Sequence, residues 1–141
     1  MPDIDNRSIE IVVQNNTRGD LEIQDADIAS PGTVWITGKN AEKGTTLKTY
    51  ATMRIGAKTE KKKGDVNFAV HFSGLGPVPI TINAVNNIKG ATRPDCAGNS
   101  AVHANIETIS NQDENHLIYR VVLTSNVSTG ITYKTRIRSK V

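Results

Sequence analysis

Residues 7–35, RSIEIVVQNNTRGDLEIQDADIASPGTVW, decide the fold class of this chain. Ile9, Ile11 and Val13 alternate with other residues, and the alternation resumes at Leu21 and Ile23. A period of two is the pattern of a half-buried strand, and the intervening NNTRG of residues 15–19 is typical of a turn. We therefore predict a β-hairpin that opens a β-sandwich.

Short alternating runs continue along the chain between glycine, proline and asparagine, and no segment shows apolar recurrence of helical length. We expect almost no helix, and strands near residues 8–14, 20–26, 33–37, 46–57, 66–72, 79–85, 102–108, 116–124 and 131–139. This pattern favours an all-β, single-domain antiparallel β-sandwich spanning residues 1–141. The polar segment 86–101 is expected to be a surface loop.

The two clearest alternating strands, predicted at residues 66–72 and 116–124, indicate which side chains form the core. In VNFAVHF, residues 66–72, every second residue is apolar, whereas Asn67, Ala69 and His71 face the other way. The side chains expected to point inward on these two strands are Val66, Phe68, Val70, Phe72, Leu117, Tyr119, Val121 and Leu123.

Length and composition bound the class of protein. A chain of 141 residues fits one domain that folds without a metal or a disulfide, and Cys96 is its single cysteine. A bacterial cytoplasm or inclusion therefore suits it better than an oxidising secretory route. We expect neither a signal peptide nor a transmembrane helix. The net charge of +3 permits weak attraction to anionic surfaces, and nothing demands nucleic acid as a partner.

No motif for catalysis or metal binding accompanies the histidines. His71, His103 and His116 are widely separated, and the chain has neither a nucleophile elbow nor HExxH. Ordinary hydrogen bonding is the favoured role for these imidazoles. Cys96 has Arg93 as its one obvious positive neighbour, which favours a non-catalytic loop thiol. We expect no enzymatic activity, no metal and no cofactor.

A basic run lies between two predicted strands in KTEKKKGD, residues 58–65. Its lysines form either a solvated turn that discourages edge pairing or a contact with anionic headgroups or an acidic partner. The lysines concerned are Lys58, Lys61, Lys62 and Lys63.

Trp35 is the single tryptophan, within TVWIT at residues 33–37. It either packs between the sheets or exposes an amphipathic ring at a lipid or sugar site. The same two interpretations apply to Tyr50.

The order of these features resembles the aegerolysin family. The matching features are a strand I-x-I-x-V-x-N-x-T at residues 9–17, a strand L-x-I-x-D at 21–25, and then Gly32 and Trp35. Later counterparts are TLKTY at 46–50, the turn at 59–64, PITI at 79–82 and HLIY at 116–119. The likeness is closest to the small bacterial members that act as one half of two-component insecticidal toxins.

The resemblance implies a role at membranes. The chain would bind a lipid or receptor of a target-cell membrane and recruit a larger pore-forming partner protein. It also places Trp35 and Tyr50 near the family's lipid-facing loops. The predicted membrane-binding set is therefore Trp35, Tyr50, Lys58, Lys61, Lys62 and Lys63.

Two other classes of function remain open. One is a carbohydrate-binding, lectin-like sandwich, because the same fold also carries sugar sites. The other is a self-assembling structural protein, a homo-oligomer formed through open sheet edges at residues 8–14 or 131–139.

Overall fold

The computed structural model describes residues 7–59, 64–76, 78–88, 90–110 and 115–125, without the side chains of residues 90–93. Ten strands and no helix lie within these residues. The strands are β1 (Ser8–Asn16), β2 (Leu21–Ile28), β3 (Thr33–Trp35), β4 (Thr46–Leu47), β5 (Thr52–Thr59), β6 (Val66–Ser73), β7 (Ile80–Asn87), β8 (Gly90–Ala97), β9 (Val102–Ser110) and β10 (His116–Ser125).

The strands form two five-stranded sheets. Sheet A has the order β3-β5-β1-β10-β9, and sheet B has the order β4-β2-β6-β7-β8. Neighbouring strands are antiparallel except β1 and β10, which run parallel with Ser8 opposite His116. The predicted all-β sandwich is confirmed, with one parallel pair in the middle of sheet A as the difference.

The core lies between the facing surfaces of the two sheets. The inward face predicted for β6 and β10 is confirmed, because Phe68 is 2% exposed and Leu123 is 0% exposed. From β1, the alternating Ile9, Ile11 and Val13 enter the same cluster with no exposed surface. Burial of each such side chain contributes about 1.5–3 kcal/mol to the free energy of folding. The alternating apolar residues are therefore the main source of stability.

The predicted opening hairpin is wrong, because β1 lies in sheet A whereas β2 lies in sheet B. Alternation identifies a strand, but it does not specify the partner of that strand. The chain crosses between the sheets after Asn16 instead of folding back on itself. Strand β1 is central, between β5 and β10, so the open edge predicted at residues 8–14 is also wrong. The predicted strand at 131–139 lies outside the described residues.

Two other predicted segments differ from the structure. The single strand expected at 46–57 is two strands in different sheets, β4 and β5, because a turn at Tyr50 separates them. The loop expected at 86–101 contains β8, which pairs with β7 through a register shift between Asn83 and Val85. Strand β8 is at the edge of sheet B, and Pro94 lies at its register shift, the positions where a sheet tolerates a proline that has no N–H to donate.

Candidate functional site

Tyr50 combines an unfavourable backbone conformation with an exposed side chain. Its φ of 67° is the one positive value among the described residues other than glycine, and 78% of the residue is exposed. The left-handed conformation costs an L-residue about 1–2 kcal/mol. Residues held in this way cluster at ligand-binding sites. An exposed ring gains little packing energy, so packing does not offset the cost of this backbone conformation. Tyr50 is therefore the first candidate for a functional residue.

A hydrogen-bonded turn holds Tyr50 in place. The amide of Ala51 donates to the carbonyl three residues earlier at 3.0 Å. Tyr50 is therefore at the third position of the turn, where type II turns require a positive φ. The amide of Tyr50 donates to the carbonyl of Asn15 at 2.6 Å, and the amide of Thr49 donates to the carboxylate of Asp20 at 3.0 Å. The turn is thus fixed against the crossing between the two sheets.

A buried asparagine organises that crossing. Asn15 has no exposed surface, and its Nδ2 donates to the carbonyls of Gly19 at 3.0 Å and Leu47 at 2.9 Å. Its Oδ1 accepts from the amide of Thr17 at 3.0 Å and from the Thr17 hydroxyl at 2.5 Å. All of its side-chain hydrogen-bonding capacity is used. Asn15 and Thr17 are the N-x-T positions of the opening motif, so the motif fixes the loops beside Tyr50.

A second asparagine fixes the neighbouring loop between β6 and β7. Asn99 Nδ2 donates to the carbonyls of Leu75 at 2.8 Å and Val78 at 2.7 Å. Its Oδ1 accepts from the amides of Ala101 and Val102 at 2.8 and 2.9 Å. Side-chain hydrogen bonds to backbone groups therefore replace strand pairing in these loops.

The loops at residues 17–20, 48–51, 74–76, 78–79 and 98–101 form one end of the sandwich, which we call the Tyr50 end. In addition to the tyrosine ring, this end exposes the basic side chains of Arg18 and Lys48 and the aliphatic Val78, which is 58% exposed. Aromatic rings settle at the headgroup level of a bilayer, and basic side chains are attracted to anionic lipids. The chemistry of the Tyr50 end thus suits contact with a membrane surface.

The structure does not bring the predicted membrane-binding residues together. Trp35 and Lys58 lie at the other end of β5, where Trp35 pairs with Ala57 and Lys58 pairs with Ser8. At about 3.3 Å per residue, Ala57 is about 17 Å along the strand from Thr52, the first residue of β5. Tyr50 is therefore remote from the other two. Lys61, Lys62 and Lys63 lie outside the described residues.

Trp35 faces the core. It is partly buried, and its indole ring meets the ring of Phe68 in sheet B at a centroid separation of 5.3 Å. Part of its surface remains accessible at the sheet edge. The packing interpretation therefore accounts for its position, and the role in lipid binding stays a prediction.

The rings of two histidines take part in hydrogen bonds across strands. His71 Nδ1 lies 2.8 Å from the hydroxyl of Thr81, and His116 Nδ1 lies 2.9 Å from the hydroxyl of Ser8. His103 is exposed on edge strand β9. In the part of the chain that the structure describes, no group of three or more His, Cys, Asp or Glu side chains is placed to hold a metal ion.

The thiol of Cys96 is poorly suited to nucleophilic chemistry. Burial, with a smaller contribution from the negative charge of Asp95, raises the pKa of Cys96 from 9.0 to about 11. The thiolate is the reactive form, so the raised pKa keeps this group inert near neutral pH.

None of the described residues belongs to a helix with the length and apolar character needed to cross a membrane.

Reasoning from the sequence selected Tyr50 but missed Arg18, Lys48 and Val78. Arg18 and Lys48 occur singly, so no charge cluster singles them out. They lie at the same end of the sandwich as the tyrosine because the loops that follow β1 and β4 meet there. The positive φ of Tyr50 also has no signal in the sequence, because glycine or asparagine is the usual residue in that conformation.

No family model matches the sequence, and no curated protein matches it. Among solved structures, the chain is similar to IP-1A from Alcaligenes faecalis, with a TM-score of 0.57 and 8% identity over 86% of this chain and 92% of that one. It is also similar to RahU protein, solved in complex with a TRIS molecule, with a TM-score of 0.57 and 12% identity over 84% and 93% of the two chains. These likenesses establish a shared β-sandwich fold.

Proposed function

We propose that this chain is an aegerolysin-like membrane-recognition protein, the small component of a binary cytolytic toxin. It docks its Tyr50 end on a lipid or receptor of a target-cell membrane. It then recruits a larger pore-forming partner protein. The observation that carries the proposal is Tyr50 itself, an exposed aromatic side chain kept in a costly left-handed conformation by hydrogen bonds from its turn.

Two further observations support the proposal. The I-x-I-x-V-x-N-x-T pattern of the aegerolysin resemblance occupies β1 and the crossing, where Asn15 and Thr17 organise the loops of the Tyr50 end. The shared β-sandwich fold extends over most of this chain and of the two solved structures. Motif, fold and exposed tyrosine thus agree at one end of the molecule.

The recruiting step needs no chemistry from this chain. A small protein bound to a membrane raises the local concentration of anything that binds to it, which favours assembly of the larger partner there. Pore formation belongs to the partner, because the charged run at residues 58–65 offers no long apolar alternation for a lipid-facing strand.

Dye release from target-cell membranes tests the division of labour. We expect no release with this chain alone and strong release with this chain and the larger partner together. The larger chain alone is the second control. Strong release by this chain alone would overturn the proposal.

Substitutions at Tyr50 test the docking end. Tyr50→Phe keeps the ring and should retain binding to target membranes in a flotation assay, whereas Tyr50→Ala should reduce it at least about tenfold, as expected for a buried aromatic contact. Lys43→Gln is a matched control, because Lys43 is exposed and lies outside the Tyr50 end. Equal binding by Tyr50→Ala and the unchanged protein would remove the tyrosine from the site.

A further inference from the structure

A row of three polar side chains crosses the outer face of sheet A at the end remote from Tyr50. Ser8 is opposite Lys58 on one side and opposite His116 on the other. The residues next in sequence, Ile9, Ala57 and Leu117, are buried in the core, so the three side chains of the row share the outward face. Residues directly opposite on antiparallel strands, such as Ser8 and Lys58, have Cβ atoms about 4.5–5.5 Å apart. The side chains of Lys58, Ser8 and His116 thus start from adjacent positions on one patch of the sheet.

Ser8 is held firmly at the centre of this row. Its amide donates to the carbonyl of Asn115 at 2.7 Å. Its carbonyl accepts from Nδ2 of Asn86 at 2.9 Å, and Asn86 is a fully buried residue of sheet B. These bonds involve only the backbone of Ser8. They fix the place from which its side chain projects, and they do not use the hydroxyl group.

The hydroxyl of Ser8 lies 2.9 Å from Nδ1 of His116. When Nδ1 carries a hydrogen, it donates to Ser8 Oγ, and the hydroxyl hydrogen can then point to an acceptor outside the protein. An anion on the patch would select that arrangement. His116 acts in it as a positioning residue for the hydroxyl.

The ammonium group of Lys58 is not neutralised by a described residue. The ion pairs of the described part of the chain join Lys39 and Arg54 to Glu10, at 2.8 and 3.2 Å, and Arg120 to Glu107 at 3.7 Å. Glu10, two residues along β1 from Ser8, is thus already engaged by two cations. Among the described residues, the ammonium group of Lys58 thus gives the row a positive charge that favours an anion.

We propose that Lys58 and Ser8, with His116 as the positioning residue, form a binding site for a phosphomonoester. Lysine binds phosphate as a point charge, and a hydroxyl donor adds a directed hydrogen bond to a second phosphate oxygen. A phosphomonoester carries about −1.5 to −2 charges at neutral pH, so the ammonium group of Lys58 attracts it more strongly than it attracts a singly charged carboxylate ligand. The site lies apart from the Tyr50 end and does not depend on the proposed docking function.

The first test is a titration of the protein with inorganic phosphate, followed by amide NMR at constant ionic strength. We expect saturable shifts at Ser8, Lys58 and His116 in the millimolar range. Lys58→Gln should raise the dissociation constant at least about fivefold, because a charged hydrogen bond is lost. Ser8→Ala should also weaken binding, and it keeps the backbone bonds to Asn86 and Asn115.

Lys43→Gln is the matched control, because Lys43 is exposed and belongs neither to this row nor to the Tyr50 end. It should leave phosphate binding unchanged. Shifts that do not saturate, or an equal loss of affinity in Lys43→Gln and Lys58→Gln, would overturn the site.

The second test separates a lipid source of the phosphate from a free one. Binding is compared between vesicles of phosphatidic acid and of phosphatidylserine at equal surface charge. A preference for phosphatidic acid that Lys58→Gln removes would assign the site to a lipid headgroup. Phosphate binding without that preference would assign it to a soluble phosphomonoester. Absence of both kinds of binding would refute the site, whatever the dye-release experiment shows.

Discussion

The indole ring of Trp35 meets the ring of Phe68 edge to face, with centroids 5.3 Å apart and an interplanar angle of 65°. Trp35 belongs to β3 at the edge of sheet A, whereas Phe68 belongs to β6 in the middle of sheet B. The contact therefore ties an edge strand to the opposite sheet. Aromatic pairs with this geometry contribute about 0.5–1.5 kcal/mol beyond the burial of their area.

A double-mutant cycle measures this contact. Trp35→Leu, Phe68→Leu and the double variant should each lower the free energy of urea unfolding, followed by circular dichroism. We expect a coupling of about 0.5–1.5 kcal/mol between the two positions. Losses that simply add, within about 0.3 kcal/mol, would show that the ring contact contributes nothing specific.

The register of β6 predicts a sharp contrast between two adjacent residues. Phe68→Ala should cost about 3–5 kcal/mol of unfolding free energy, because the side chain is 2% exposed and its loss leaves a cavity. Asn67→Ala should cost far less, because Oδ1 of Asn67 is buried without a hydrogen-bond partner. The backbone bonds that Asn67 makes with Ser30 and Ala29 survive that substitution. A larger loss in Asn67→Ala would contradict the inward face of the strand.

Alternation in the sequence was enough to predict the class of fold and the faces of β6 and β10, because burial on one face imposes a period of two. It could not predict partners. Strand β1 pairs with β10 in parallel, across more than a hundred residues of sequence, and nothing local to Ser8–Asn16 encodes that choice. The sequence also did not predict the break between β4 and β5, because the break depends on the left-handed conformation of Tyr50. The candidate site was predicted only in part, because the loops that form it are brought together by strand pairing that the sequence does not specify.

Asn15 provides a test of the crossing between the sheets. Asn15→Ala should cost at least about 2 kcal/mol of unfolding free energy, because it removes the side-chain hydrogen bonds to the carbonyl of Leu47 and the amide of Thr17. Asn16→Ala is the matched control, because Asn16 is exposed and accepts one hydrogen bond from Gln14 at the surface. Similar stabilities of the two variants would mean that the crossing does not depend on the buried amide.

The reactivity of Cys96 should follow its raised pKa. The rate of alkylation by iodoacetamide should rise with pH toward an inflection near 11, compared with 9.0 for an ordinary thiol. Burial is the larger cause, so Asp95→Asn should lower the inflection only in part. Because the pKa of Cys96 is higher in the folded state than in the unfolded state, ionisation of the thiol favours unfolding. The contribution of Cys96 to the free energy of unfolding is therefore complete below pH 9 and is lost as the pH rises toward 11. An inflection near 9 in the folded protein would show that the thiol is solvated.

Tyr50 allows backbone strain and recognition to be separated by three substitutions. Tyr50→Gly removes the ring and also the left-handed penalty, so it should leave the free energy of unfolding unchanged or raise it by up to about 1 kcal/mol. Tyr50→Ala removes the ring and keeps the penalty, so it should be less stable than Tyr50→Gly by about 1 kcal/mol. Tyr50→Phe keeps both features and should match the unchanged protein.

The same three variants should rank differently in membrane binding. If the strained turn serves to present the tyrosine ring to the membrane, Tyr50→Gly should bind target membranes as poorly as Tyr50→Ala, although Tyr50→Gly is the more stable protein. Urea unfolding and vesicle flotation on the same samples give both rankings. A Tyr50→Gly protein that is clearly less stable than Tyr50→Ala would show that the turn carries no strain. One that is stable and binds normally would show that the ring has no part in docking.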